Sequence, residues 1–231
     1  MSWLFDTVNP FFHLKSVNNL AILKGLAEQL ATKEMRDEMA IPAYFHGNIL
    51  SRALFFGRLS WFLQPLRFSV GSSCLDFGCG IGLLAPYVVA NGGRYCGIDL
   101  NPEIARSYAQ RLGLDGVEFH QALQELPPTL RFDRIVSFDV LEHVDDLGPV
   151  FAQFRVLLKP GGEIVICGPT ENWLYRLGRR VVGFSGEYHH RNIHDIFRLA
   201  KECNLTKKRQ RSWPLPGAAA LFECGYFTLQ P

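Results

Sequence analysis

Residues 74–82 read CLDFGCGIG: glycines stand at 78, 80 and 82, and a carboxylate, Asp76, sits two positions before the first. Glycine accepts left-handed backbone and lets a ligand reach the main chain without meeting a Cβ. Three kinds of binder use such a turn. A nucleoside triphosphate loop needs GxxxxGK followed by Ser or Thr, and this stretch has no such pattern. A dinucleotide turn reads GxGxxG and offers a helix N-terminus to a pyrophosphate. Here Leu83 stands where that third glycine belongs. Asp76 would repel a pyrophosphate but suits a ligand carrying positive charge.

A second carboxylate follows. Asp99 closes the run RYCGID, 21 residues after Gly78. An acid at that place can accept hydrogen bonds from both hydroxyls of a ribose; the alternative is an aspartate that shapes a turn. Histidines supply the candidates for proton transfer. His143 follows Glu142 in FDRIVSFDVLEHV, and His189, His190 and His194 lie in GEYHHRNIHDI beside Tyr188 and Arg191. Histidine titrates near neutrality and can take a proton from a nucleophile. It equally serves as a turn-ordering or exposed residue. His190 and His194, four apart, share one face if helical, but no Cys or acid is placed to complete a metal site, so no metal is expected.

The elements that must hold these groups alternate. From residue 72 the chain reads as strand (SSCLDF), helix (GLLAPYVVAN), strand (RYCGIDL), helix (NPEIARSYAQRLG), strand (VEFHQ), strand (FDRIVSFDV), helix (LGPVFAQFRVLL) and strand (GEIVICG). Asn91-Gly92-Gly93 and Gly113 are helix stops, Asn101 is the expected N-cap with Pro102 in the first turn, and KPGG is a turn. A helix over 192–203 and an antiparallel pair, KKRQRSW with AAALFECGYFTL, end the chain. Strands alternating with helices of about 10–15 residues predict βαβ units in a mostly parallel sheet with helices on both faces. Residues 1–69 read as a helical extension. Leu20, Leu23, Leu26, Ala27 and Leu30 recur at helical spacing, and 47–63 makes a second amphipathic run beyond Pro42.

Composition narrows the function classes. The chain has 231 residues, 48% of them hydrophobic, and a net charge of +2, which argues against a dedicated nucleic-acid coat. Charge is unevenly spread: residues 71–170 carry 7 Lys/Arg against 12 Asp/Glu, and 171–213 carry 10 against 4. The basic stretch is either a solvated face or a rim for an anionic substrate. Six cysteines, none in CxxC spacing, read as reduced thiols of a cytoplasmic protein. Asp6, Asn9 and Pro10 interrupt any signal peptide, and Arg52, Arg58, Pro65 and Arg67 interrupt the most apolar stretch, so neither a leader nor a transmembrane helix is expected.

LDFGCGIG resembles motif I of the class I S-adenosylmethionine-dependent methyltransferases. FDRIVSFDVLEHV resembles their motif IV, and LLKPGGEIVICGPT the segment that closes it. The likeness covers about residues 72–170. It implies a doubly wound, mostly parallel seven-stranded sheet with an antiparallel C-terminal strand over 70–231, with an insertion at 170–191. It implies S-adenosyl-L-methionine as cofactor, held by Asp76, Gly78, Cys79, Gly80 and Asp99, with Leu100 against adenine. After the third strand the family usually has an acid for the adenine amino group. Here FHQALQELP leaves that contact to main-chain groups and to Gln121, Ala122 and Leu123. Phe138 and Asp139 would lie next to the methionine part, and His143, on the adjoining turn, is the first candidate for a general base. Tyr188, His189, His190 and Arg191 fall where the family builds substrate specificity.

The pattern is similar to the branch that includes quinone-precursor and other small-molecule methyltransferases. The insertion mixes Trp173, Leu174, Tyr175, Leu177 and Phe184 with Arg176, Arg179 and Arg180. The N-terminal helices repeat that mix with Phe55, Phe56, Trp61 and Phe62 beside Arg52 and Arg58. Either these are ordinary packed helices, or they form an apolar lid with a cationic rim for a hydrophobic or acidic small molecule, a design that permits peripheral membrane contact. The preferred reading is O- or N-methylation of a small molecule. Its rivals are a nucleic-acid or protein methyltransferase, disfavoured by FDVLEH where NPPY or PC would stand; a non-catalytic cofactor binder; and an aminopropyl transferase, which would need acids for a polyamine.

Overall fold

The computed structural model describes residues 17–30, 32, 44, 49–176 and 191–230. It divides into two compact units, Met1–Pro127 and Pro128–Pro231. The first holds helices α1 (Val17–Leu30) and α2 (Ile49–Leu63), then β1 (Ser73–Phe77), α3 (Ala85–Ala90), β2 (Arg94–Ile98), α4 (Glu103–Arg111) and β3 (Val117–His120). The second holds β4 (Phe132–Phe138), α5 (Leu147–Leu157), β5 (Leu158–Pro169), α6 (Ile193–Glu202), β6 (Leu205–Pro214) and β7 (Ala220–Leu229). The seven strands form a mixed sheet in the order β3-β2-β1-β4-β5-β7-β6. This is the expected architecture, and the expected C-terminal antiparallel pair is β6 with β7.

In the first unit β1 pairs parallel with β2, and β2 with β3. Ser73–Asp76 are all buried, as a strand covered on both faces requires. Helix α1 packs on α4. It does so with Leu23, Leu26 and Ala27, the i, i+3, i+4 stripe read from the sequence, while Leu30 at the end is exposed. Along α2, Leu59, Phe62 and Leu63 are buried. Arg58 is not on a rim, contrary to the lid expectation: it is fully buried, donates to the Tyr44 hydroxyl at 3.1 Å and lies 5.0 Å over the Phe55 ring. Arg52 is exposed.

In the second unit β4 and β5 run parallel, and β7 inserts antiparallel between β5 and β6. The KPGG segment differs from the expected turn. It stays in the ladder as an irregularity, with Phe132 opposite Leu158 but Arg134 opposite Glu163, and Gly161 takes a φ of 75° to absorb the extra residues. Helix α6 starts at a real cap: the Asn192 side chain accepts from the main-chain N–H groups of His194 and Asp195, worth about 1 kcal/mol. Trp173 begins a short helical turn after β5 and is 70% exposed. Most of the expected insertion, with Leu177, Arg179, Arg180 and Phe184, lies outside the described residues, as does Pro42.

Candidate functional site

In the first unit, β1 delivers Asp76 and then breaks. Gly78, Gly80 and Gly82 take φ values of 78°, 51° and 78°, so every second residue is left-handed. A side chain at these positions would strain the backbone. The turn is fastened to the end of β2. The N–H groups of Gly78 and Cys79 both donate to the Ile98 carbonyl, at 2.7 and 2.9 Å. The Gly80 N–H donates to Asp99 Oδ2 at 2.8 Å. Asp99 Oδ1 takes the Asn101 N–H at 3.0 Å. Asp99 therefore braces the glycine turn and the start of the following loop, and it is partly exposed. The cap of α4 is Pro102, with no side-chain bond.

Two more glycines are spatial requirements. A Cβ at Gly82 would stand 2.9 Å from the Ala105 Cβ, so only glycine lets the turn lie against α4. A Cβ at Gly97 would stand 2.8 Å from both Cys79 Sγ and Phe119 Cδ1. Gly97 thus makes room under the turn, a role the sequence reading did not give it.

Asp76 is 5% exposed and its Oδ2 accepts from the Tyr95 hydroxyl at 2.7 Å. Burial pushes its pKa up to about 7; the Tyr95 hydrogen bond opposes that, and the nearby Asp99 charge adds to it. Burial, with Asp76 and Asp99 beside it, also raises the Cys79 thiol well above its ordinary range. Cys79 is a neutral, buried thiol, not a nucleophile. Beyond Asp99, Leu100 is 81% exposed, a bare apolar side chain next to a carboxylate. After β3, Ala122 precedes a 3-10 turn, Leu123–Glu125, and Leu123 is buried. Glu125 folds back so that its Oε2 accepts the Gln121 N–H at 3.3 Å and lies 3.6 Å from His120 Nδ1.

In the second unit, Phe138 ends β4 and Asp139 turns left-handed with a φ of 56°, its N–H held by the Cys167 carbonyl at 2.9 Å. The 3-10 turn Leu141–His143 buries Glu142 and exposes His143. Arg191 clamps the chain just beyond, donating to the carbonyls of Val144 at 2.5 Å and Asp145 at 2.6 Å. Tyr188, His189 and His190 lie outside the described residues. Among the described residues no group of three or more His, Cys, Asp or Glu side chains is placed to hold a metal ion, and no helix is long and apolar enough to cross a membrane.

A family model described as a methyltransferase domain matches residues 52–209, more than half of the chain. The chain belongs to the methyltransferase-domain family. This methyltransferase-domain protein is 33% identical over 107 residues to a ubiquinone biosynthesis O-methyltransferase of Bradyrhizobium sp. (strain ORS 278), a match covering 45% of this chain and 42% of that protein. It is 31% identical over 125 residues to the enzyme of the same name from Erwinia tasmaniensis, covering 51% of each. The chain therefore spans about half, or less, of the length of these curated relatives. Among solved structures, the PH0226 protein of Pyrococcus horikoshii OT3 is similar with a TM-score of 0.66 and 17% identity, covering 87% of this chain and 100% of that one. The N-methyltransferase NodS of Bradyrhizobium japonicum WM9, in complex with S-adenosyl-L-homocysteine, gives 0.61 and 19%, covering 86% and 97%. At these identities the structures establish the fold.

Proposed function

We propose that the chain binds S-adenosyl-L-methionine and transfers its methyl group to a hydroxyl of a small, apolar or acidic acceptor. One observation carries the cofactor reading: the turn at 78–82 has glycine at every second position, its two side chains, Cys79 and Ile81, are buried, and it stands between two carboxylates. Asp76 is the decisive member. Burial pushes this carboxylate's pKa up to about 7, and a cation brought beside it would stabilise its charged form. A sulfonium or ammonium fits that need and a pyrophosphate does not. The residues present fit the rest of the group. Asp99 uses one internal hydrogen bond on each oxygen, and each oxygen has a further lone pair for a ribose hydroxyl. Leu100 offers an apolar shelf for adenine, and the Ala122–Leu123 turn with Glu125 offers acceptors for its amino group. Phe138 and Asp139 are assigned to the methionine part, supported by their place at the carboxyl end of β4.

When bound, S-adenosylmethionine supplies an activated methyl on sulfur. The chain's own work is to hold the acceptor in line, at an approach of about 3 Å, and to receive its proton. We assign His143, exposed on the turn after β4, and Arg191, which fixes that turn, to the acceptor, on the strength of their places in the sequence pattern. Hydroxyl methylation is favoured over amine methylation by the names of the relatives at 31–33% identity, which are O-methyltransferases. Six free thiols, five of them buried, suit a reducing, cytoplasmic setting. The test is turnover: the full chain with labelled S-adenosylmethionine and a panel of catechols, with and without alkyl tails and carboxylates. Label should appear in a methyl ether. Binding of cofactor with no transfer to any hydroxyl would reduce the chain to a cofactor-binding module.

A further inference from the structure

Among the described residues the second unit leaves three large apolar side chains in water: Val156, Trp173 and Leu215. Val156 stands by itself on α5. The other two belong to one knob. Trp173 begins the helical turn after β5, and Leu215, 59% exposed, lies in the loop between β6 and β7. Asn172 Nδ2 ties the turn to that loop, donating to the carbonyls of Ala218 at 3.2 Å and Ala220 at 2.6 Å. Thr170 Oγ1 donates to the Ala220 carbonyl at 2.8 Å, and the Thr170 N–H to the Leu221 carbonyl at 3.0 Å. Asn172 Oδ1 accepts the Tyr175 N–H at 2.8 Å, and the Tyr175 ring packs edge-on to Phe222 with 5.4 Å between centres.

The loop is unusual in what it shows to water. WPLPGAAALF, residues 213–222, has no ionisable side chain, and 214–218 are exposed in succession. Scattered apolar side chains on a surface are ordinary, but a fixed, consecutive exposed run needs a function. Cations flank it. Across 205–222 and 170–176 stand Lys207, Lys208, Arg209, Arg211 and Arg176, and the one acid is Glu171. Distance and pairing decide which of them count. Arg209 holds Glu163 through two hydrogen bonds, and Lys207 lies over the Phe197 ring. Lys208 is exposed but stands roughly 20 Å along the strand from Pro214, beyond the ~8 Å over which salt leaves surface charge unscreened. Arg211 is roughly 10 Å from Pro214. It lies opposite Cys224 as Trp213 lies opposite Phe222, so it shares the face on which Tyr175 packs. Arg176, at the end of the Trp173 turn, is exposed.

We propose that this knob docks the chain on an anionic lipid bilayer. Trp173 and Leu215 enter the boundary between headgroups and acyl chains, and Arg176 and Arg211 lie among the phosphates. Tryptophan favours that boundary, and stable peripheral contact needs an apolar insertion together with cations. The collar also decides against a second copy of the chain, because two knobs meeting would set like charges against each other. The inference goes beyond the methyl-transfer reading and does not depend on it.

The test is sedimentation of the full chain with sucrose-loaded vesicles, either equal parts phosphatidylglycerol and phosphatidylcholine or phosphatidylcholine alone. The chain should pellet with the anionic vesicles at about 0.1 M salt, much less with the neutral ones, and be released at about 0.5 M. Leu215→Asp and Trp173→Ser should each lower the partition coefficient about tenfold or more, and Arg176→Gln about fivefold. All three side chains are exposed, so urea midpoints should match the wild type. Bromine-bearing lipids should quench tryptophan emission, and Trp173→Phe should remove a large part of the quenched signal. No binding to anionic vesicles, binding unchanged in both Leu215→Asp and Trp173→Ser, or quenching unchanged in Trp173→Phe overturns the proposal. Self-association in analytical ultracentrifugation that Leu215→Asp abolishes assigns the knob to a second copy and overturns it as well. No arm reads methylation, so a chain that transfers no methyl group leaves each of these outcomes decisive.

Discussion

Replacing Asp76 with Asn should stabilise the ligand-free chain at neutral pH. Asp76 is buried in β1, and its pKa rises from 3.8 to about 7, chiefly because burial penalises the charged form. Below about pH 4 the group is protonated in both folded and unfolded chains and has no effect on stability. From there to pH 7 the folded chain keeps a proton that the unfolded chain has released. Stability therefore falls as pH rises through that window and levels off above it. About three pKa units correspond to about 4 kcal/mol at the plateau. Asn keeps an oxygen for the Tyr95 hydroxyl, which Asp76 accepts at 2.7 Å, and carries no charge. The assay is urea unfolding of both proteins from pH 4 to 8, comparing differences so that all other titrations cancel. The gain from Asp76→Asn should be near zero at pH 4 and grow to about 4 kcal/mol by pH 7.5, or roughly 8–16 °C in Tm for a chain of this size. A gain that stays below 1 kcal/mol at every pH would mean that Asp76 ionises in the fold without cost. Saturating S-adenosylmethionine should narrow the difference, because only the wild type offers a carboxylate to the cation.

Other substitutions separate the parts of the site. Asp99→Ala removes acceptors for the Gly80 and Asn101 N–H groups and for a ribose, and should weaken S-adenosylhomocysteine binding at least tenfold by calorimetry, consistent with about 1.5–3 kcal/mol for hydrogen bonds to a charged group. Gly82→Ala puts a Cβ 2.9 Å from Ala105 on a left-handed backbone and should cost about 1–3 kcal/mol in thermal or urea unfolding. Arg191→Ala frees the carbonyls of Val144 and Asp145; hydrogen exchange should speed up over residues 141–146 while cofactor affinity stays within twofold.

The glycine turn was legible because its requirement is local. Left-handed φ at alternate residues has few chemical solutions, and a carboxylate two positions earlier is visible without knowing the fold. Strand and helix order was legible for a similar reason, since the buried stripe of α1 and the apolar run of β1 follow from periodicity alone. What escaped the sequence depends on partners far along the chain. Tyr95 is 19 residues from the Asp76 it donates to, and Gly97 is small because Cys79 and Phe119 close over it. Arg58 read as a rim cation because its burial beneath Phe55 and against Tyr44 is a packing outcome. Asn101 matched a cap by type, yet the helix starts one residue later, at a Pro102 cap, and Asn101 gives its own N–H to Asp99. Helix α3 starts at Ala85, not Gly82, because the third left-handed glycine extends the turn.

The central claim is that the bare turn between Asp76 and Asp99 receives a cationic nucleoside. Calorimetric titration of the wild-type chain at pH 7.5 with S-adenosylmethionine and, in parallel, with NAD tests it most directly. Saturable one-to-one binding of S-adenosylmethionine is expected, with proton release on binding as Asp76 ionises, and no heat with NAD. Binding of NAD in preference to the sulfonium, or of neither, would contradict it.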